Sequence, residues 1–155
     1  IYETNSCLQD KNPNLIEYAI FCGSFNIFNY LRSNDVQINQ SSWIWAIRGY
    51  NPEIIAYLEQ KFGLPDEECL KKCIKEAIKC HHNNIVNYIF DNYLPDENIE
   101  NYMKKSLKYY NFEFIKNEFF DKSLFYNLCK YNMFYPVEFL LKNEVFDVNS
   151  LQISY

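Results

Sequence analysis

Ala19-Ile20-Phe21-Cys22-Gly23-Ser24-Phe25-Asn26-Ile27-Phe28-Asn29-Tyr30-Leu31 is a stretch whose skeleton returns along the chain. From Ala46 come Ala46-Ile47, Tyr50-Asn51, Ile54-Ile55 and Tyr57-Leu58. From Ala77 come Ala77-Ile78, His81-His82, Ile85-Val86 and Tyr88-Ile89. The offsets are identical in all three copies. Two weaker copies follow. One starts at Ser106 with Leu107, Tyr110-Asn111 and Phe114-Ile115, and its Phe119-Phe120 slips by two positions. The other starts at Leu128 with Asn132, Val137 and Phe139-Leu140.

Successive origins are 27, 31, 29 and 22 residues apart. Leu64-Pro65-Asp66-Glu67 also returns as Leu94-Pro95-Asp96-Glu97. A period of this length marks one supersecondary unit per copy, stacked so that neighbours share a core. Within a copy the apolar positions, such as Ile16, Ala19 and Ile20, then Ile27, Phe28 and Leu31, keep helical spacing and do not alternate. Each unit therefore reads as two helices.

Capping residues support the division. Asn14, Ser41 and Ser123 lie where first helices begin, with Asp66 and Asp96 in the same role for the third and fourth units. Glu67 and Glu97 then fall in the first turn, where the helix dipole favours negative charge. Ser24, Asn51 and Asn111 open second helices, Pro52 suits a first helical position, and Gly23 can close a first helix in the left-handed conformation. The helix pairs are expected at 15–22 and 25–33, 42–49 and 52–61, 67–80 and 84–91, 97–109 and 112–120, and 122–131 and 134–142. The fold class is all-α: a helical-repeat solenoid of about five antiparallel pairs, in one domain over residues 1–155. Because residue 1 is Ile and not Met, the sequence is read as a piece of a longer chain.

Composition narrows the function. Three glycines and five prolines are too few for an all-β domain, which turns every few residues. A net charge of −5 argues against general binding to nucleic acid or to an anionic membrane. No apolar run is long enough to span a bilayer. The six cysteines, Cys7, Cys22, Cys69, Cys73, Cys80 and Cys129, are scattered, and several sit inside expected helices. They read as reduced thiols of an intracellular, cytoplasmic protein, because a disulfide-stapled domain is shorter and richer in loops.

The unit Ala19…Gly23…Ile27-Phe28…Tyr30-Leu31 with Asn34-Asp35-Val36-Gln37-Ile38-Asn39 resembles an ankyrin repeat. So does Val137-Glu138-Phe139-Leu140-Leu141-Lys142-Asn143-Glu144 with Phe146-Asp147-Val148-Asn149. The first half is also similar to a divergent ankyrin-like domain of unknown function. That domain occurs on the N-terminal side of large ankyrin proteins of protists. The likeness lies in Ile16-Glu17-Tyr18-Ala19, Trp43-Ile44-Trp45-Ala46-Ile47, Asn51-Pro52-Glu53-Ile54-Ile55, Glu68-Cys69-Leu70 and Ile78-Lys79-Cys80-His81-His82-Asn83. Departures are visible. The Thr-Pro-Leu-His opening is absent, and the units are shorter than the family's. The turn glycine survives only at Gly23, with Tyr50 and Tyr110 in its place elsewhere. A bulky residue disfavours positive φ, so those turns are expected to differ and the β-hairpins to be short or missing.

The resemblance implies a non-enzymatic protein-interaction scaffold, without cofactor or metal and monomeric. Partners of such repeats dock on a concave face. On this alignment that face would carry Glu17, Phe21, Ile44, Arg48, Lys75, Lys79, Lys104, Lys108, Tyr126 and Lys130. Six of these ten are basic in an acidic chain, which fits an acidic segment of a protein partner. A solvated lysine face that keeps a repeat protein soluble explains the same residues without a partner. A second reading makes the segment a cap that shields the end of a longer ankyrin array.

Chemistry finds little purchase. Cys69, Cys73 and Cys80 recur along one helix face, with His81 and His82 beyond, and thiolate with imidazole suits zinc. The paired spacing of structural zinc sites is missing, and apolar packing explains the cysteines. A Cys–His pair lacks an orienting acid at recognisable spacing. Gly23, Gly49 and Gly63 are isolated, so no phosphate loop is expected. Trp43 and Trp45 flank Ile44 and point to different sides, one to the core and one to a contact between repeats or the surface. Lysines beside tyrosines at Lys104-Lys105 and Tyr109-Tyr110 offer stacking for single strands, which the acidic charge opposes.

Overall fold

The computed structural model describes Leu8, residues 12–115 and residues 122–142. All regular structure among these residues is helical, with no strand. The expected helical segment 116–120, with Phe119-Phe120, and the tail Val145–Asn149 lie outside them, as does Cys7. The chain divides into two compact units, Ile1–Pro95 and Asp96–Tyr155.

The first unit holds α1 (Leu15–Phe21), α2 (Phe25–Ser33), α3 (Ser42–Gly49), α4 (Pro52–Phe62), α5 (Glu67–Lys79) and α6 (Asn83–Asn92). The first helices α1, α3 and α5 pack side by side, and each packs on its own second helix. Helix α2 also touches α4. The buried positions are the periodic ones: Ile16, Ala19 and Ile20 on α1, Ala46 and Ile47 on α3, and Ile74, Ala77 and Ile78 on α5. The small residue at each origin lets neighbouring backbones approach. Gly49 takes this furthest, because a Cβ there would lie 2.0 Å from the Ile20 carbonyl oxygen.

Three helix starts are fixed by side chains. Asn14 Oδ1 accepts from the Glu17 backbone N–H at 2.9 Å, and Glu17 accepts from the Asn14 N–H at 3.0 Å, a reciprocal capping box. Asn51 Oδ1 accepts from the Glu53 and Ile54 N–H groups, ahead of Pro52. Asp66 accepts from the Cys69 N–H at 2.8 Å. Ser24 and Ser41 stand at N-cap positions without capping through their side chains. The Ser41 hydroxyl instead donates to Asn39 Oδ1.

The ends of the first helices share one geometry. Gly23, Tyr50, His81, Tyr110 and Asn132 all have positive φ, between 51° and 63°. Each sits four residues past its origin. At four of them the next residue's N–H reaches the origin carbonyl: Ser24 to Ala19, His82 to Ala77, Asn111 to Ser106 and Met133 to Leu128, all at 2.9 Å. The left-handed residue itself donates to the following carbonyl, as from Gly23 to Ile20 and from His81 to Ile78. This is the Schellman closure. Tyr50 closes with a single bond to the Ala46 carbonyl at 2.9 Å. The expectation that Tyr50 and Tyr110 would make a different turn is overturned. Satisfying the last carbonyls of the helix outweighs the ~1–2 kcal/mol that a left-handed non-glycine costs.

The second unit holds a 3-10 turn Ile99–Tyr102, α7 (Met103–Lys108), a 3-10 turn Phe112–Phe114, α8 (Lys122–Lys130) and α9 (Phe134–Lys142). Its core joins Leu107, Leu124, Leu128 and Met133, flanked by Met103, Ile115, Tyr131 and Val137. Helix α8 packs on both α7 and α9. Here the expected bounds need correction. The helix expected from 97 begins as a 3-10 turn, and its cap is Asn98, which accepts from the Glu100 N–H at 2.9 Å, not Asp96. The helix expected from 112 stops after three residues, because Ile115 is extended with φ −97° and ψ 107°. Phe112-Glu113-Phe114-Ile115 is aromatic and β-branched, with little helix propensity to oppose that break. Ser123 lies inside α8 and not before it.

Candidate functional site

Helix α3 is the hub of the first unit, and its Arg48 meets an acid from the next helix pair. Arg48 Nε and Nη2 both reach Glu76 Oε2 at 2.6 Å. The Arg48 side chain is only 3% exposed and that of Glu76 only 15%. The guanidinium lies 5.5 Å from the Trp45 ring and 5.9 Å from Phe21. Those two rings meet edge to face at 6.0 Å. The outward position expected for Arg48 is therefore corrected. Glu76, facing it from α5, draws the charge inside, where it joins two helix pairs.

The closing turns are tied to one another as well. Asn51 Nδ2 donates to the Gly23 carbonyl at 3.1 Å. The His82 ring stacks on Tyr50 at 4.3 Å, its Nε2 lies 3.2 Å from the Arg48 carbonyl oxygen, and Asn84 Nδ2 donates to the Tyr50 hydroxyl. The second and third turns of the first unit thus each carry a contact to the turn before.

The other alignment positions vary in exposure. In the first unit Glu17 serves its capping box, Phe21 packs on Trp45, and Ile44 is half-buried. Lys75 is exposed and Lys79 half-buried. In the second unit Lys104, Lys108, Tyr126 and Lys130 are all exposed. Lys108 Nζ lies 5.6 Å from the Tyr109 ring centre, and Lys130 Nζ lies 6.0 Å from that of Tyr131.

Both tryptophans are buried. Trp45 makes the contact between helix pairs. Trp43 lines an apolar groove of about 480 Å³, counting the open solvent at its mouth, together with Ile47, Leu64, Cys73, Tyr88 and Ile89. Tyr93 also lines it, and its hydroxyl lies 2.9 Å from that of Tyr88. That hydrogen bond, with some burial, pushes the Tyr93 phenol up to about 12.

Cys22, Cys69, Cys73, Cys80 and Cys129 are not joined in disulfides. Cys73 is buried and hydrogen-bonds half-buried Cys69 one turn before it on α5. This bond lowers the Cys69 thiol to about 7, against the opposing pull of desolvation, Asp66 and Glu68. It also raises Cys73, with burial acting in the same sense. Among the described residues no group of three or more His, Cys, Asp and Glu side chains is placed to hold a metal ion. No helix among them is long and apolar enough to cross a membrane.

No family model, curated protein or solved structure matches this chain. Its reading rests on its own geometry. Sequence alone missed Glu76, the glycine contact at Gly49 and the Tyr50–His82 stack. Each depends on a partner from another helix pair.

Proposed function

We propose that this chain is a non-enzymatic protein-interaction scaffold, built as a solenoid of ankyrin-like helix pairs. One observation carries the reading: the left-handed closing turn that recurs at the same place in five successive copies of the sequence pattern. A fold made of such units devotes its interior to packing between neighbours and leaves its surface for recognition. The side-by-side packing of α1, α3 and α5 supports this in the first unit. Arg48 is committed to Glu76, and the exposed basic positions that would meet an acidic segment are Lys75 in the first unit and Lys104, Lys108 and Lys130 in the second.

Charge reversal at Lys75, Lys79, Lys104 and Lys108 tests the proposal. Partners are captured from a lysate with wild-type and reversed chains, and crosslinks are mapped by mass spectrometry. The scaffold reading expects a defined partner crosslinked at these lysines, lost on reversal and weakened by salt. An unchanged partner set removes the basic face. A folded chain that captures nothing specific favours the cap of a longer array.

A further inference from the structure

The second helices of the first unit fill the space between them at one step and leave it open at the next. Phe28 of α2 is fully buried and meets Tyr57 of α4 edge to face at 5.3 Å. One copy later, Ile55 stands where Phe28 stood, nine residues past the origin, and Tyr88 stands where Tyr57 stood. Ile55 lacks the ring that fills this place in the copy before. Tyr88 pairs instead with Tyr93, edge to face at 5.5 Å, and remains 53% exposed. The apolar groove lies here, with Ile55 and Tyr88 both in its lining.

The groove has an apolar body and one charge. Ile47, Ile55, Ile85 and Ile89 line it beside Trp43. Among the described residues that line it, Glu59 of α4 is the one with a charged side chain. Glu59 is exposed, and its carboxylate has no ion pair among the described residues. Cations near it in sequence are engaged elsewhere. Lys61 Nζ lies over the Tyr57 and Phe62 rings, and Lys71 and Lys72 pair with Glu67 and Glu68. The Glu59 charge also adds to the rise of the Tyr93 phenol, so its field reaches that part of the groove.

We propose that this groove receives a lysine side chain from a partner protein, with the alkyl stem against Ile55, Ile85 and Ile89 and the ammonium on the Glu59 carboxylate. A lysine stem buries well along an apolar surface while its head keeps to the wet rim. The hydroxyls of Tyr88 and Tyr93 offer the ammonium further acceptors beside the carboxylate. An alkyl chain ending in a carboxylate would gain the same burial but meet Glu59 as a like charge, and a neutral alcohol would gain the burial alone. The source of the lysine rests on the interaction-scaffold reading; the groove and its charge preference do not.

Titration of the intact, ¹⁵N-labelled chain with hexylammonium, hexanol and hexanoate, followed by two-dimensional NMR, tests the site. The Trp43 indole N–H reports from the groove, and that of Trp45, packed on Phe21, is the internal reference. Hexylammonium is expected to shift the Trp43 signal and the amides of Ile55, Ile85 and Ile89, with a Kd on the order of millimolar. It should bind about three- to fivefold tighter than hexanol, the scale of an exposed ion pair, and hexanoate should bind weakest. Glu59→Gln, at an exposed position, is expected to erase that ranking and leave hexanol unchanged. Ile55→Phe, checked for folding by circular dichroism, restores the ring of the previous copy and should weaken all three probes. Nα-acetyl-lysine N-methylamide is expected to shift the same signals as hexylammonium. Equal binding of hexylammonium and hexanol to wild type, or no shift at Trp43, overturns the proposal without reference to any variant. Binding of hexylammonium without the lysine derivative would show a site for free amines and overturn the partner lysine. A lysate capture that finds no partner leaves these titrations as they are, so the scaffold reading and the groove fail separately.

Discussion

Replacing Gly49 by alanine tests the packing of helix pairs directly. Gly49 ends α3, where it faces the end of α1. An added Cβ would meet the Ile20 carbonyl oxygen at 2.0 Å, the Gly23 nitrogen at 3.0 Å and the Ile20 carbonyl carbon at 3.1 Å. All three are backbone atoms, so no rotamer change relieves the clash and α1 must move off α3. Overpacking of this kind costs about 1–3 kcal/mol, and rigid backbone contacts place it at the upper end. The alanine gains at most ~1 kcal/mol of helix propensity. The net loss is about 2 kcal/mol, which lowers Tm by roughly 4–8 °C in a chain of this length. Thermal unfolding followed by circular dichroism at 222 nm measures it. Asn87→Ala, on the exposed face of α6, controls for propensity alone and is expected to be neutral or slightly stabilising. A Gly49→Ala chain as stable as wild type, or more so, would refute the close approach of α1 and α3.

Three further outcomes follow from the same geometry. Removing one partner of the buried pair, by Arg48→Met or Glu76→Gln, is expected to cost about 3 kcal/mol, while Arg48→Met with Glu76→Leu recovers most of it; denaturant melts of all three variants check this. Tyr110→Gly relieves a left-handed φ of 57° at an exposed residue and is expected to stabilise by up to ~1 kcal/mol, whereas Tyr50→Gly also loses the stack on His82 and gains less. Tyr88→Phe removes the partner that raises Tyr93 to about 12, so the Tyr93 phenol, followed by the NMR shift of its labelled Cζ, should titrate closer to 10. A raised phenol favours the neutral form in the folded state. Its contribution is therefore intact below about pH 10 and lost as pH rises toward 12 in wild type.

Much of the first unit was legible in the sequence because its signals are local. The capping box at Asn14 and Glu17, Asn51-Pro52, and Asp66 each act within four residues, and the helices begin where these residues place them. The fourth pair was less legible. Asn98 outcompeted Asp96 as cap, and the Phe112–Ile115 run broke where periodicity alone suggested continuity. The closing turns show the opposite failure. Side-chain size argued against a left-handed Tyr50 or Tyr110, but the demand of the last carbonyls prevailed. Among the candidate site residues the lysines fell mostly on the surface, whereas Arg48 was drawn inside by Glu76 from α5. A single sequence does not reveal which acid will face a given arginine. For the same reason Gly49 looked like an isolated glycine until the Ile20 carbonyl was seen beside it.

The recurring helix-pair unit is tested most directly by solution NMR of the labelled chain, through the HN–Hα couplings and Cα shifts that report φ. Positive φ is predicted at Gly23, Tyr50, His81, Tyr110 and Asn132, with slowly exchanging amides at Ser24, His82, Asn111 and Met133. Negative φ at Tyr50, His81 and Tyr110 would contradict a common closing turn, and with it the claim that the chain is built from one repeated pair of helices.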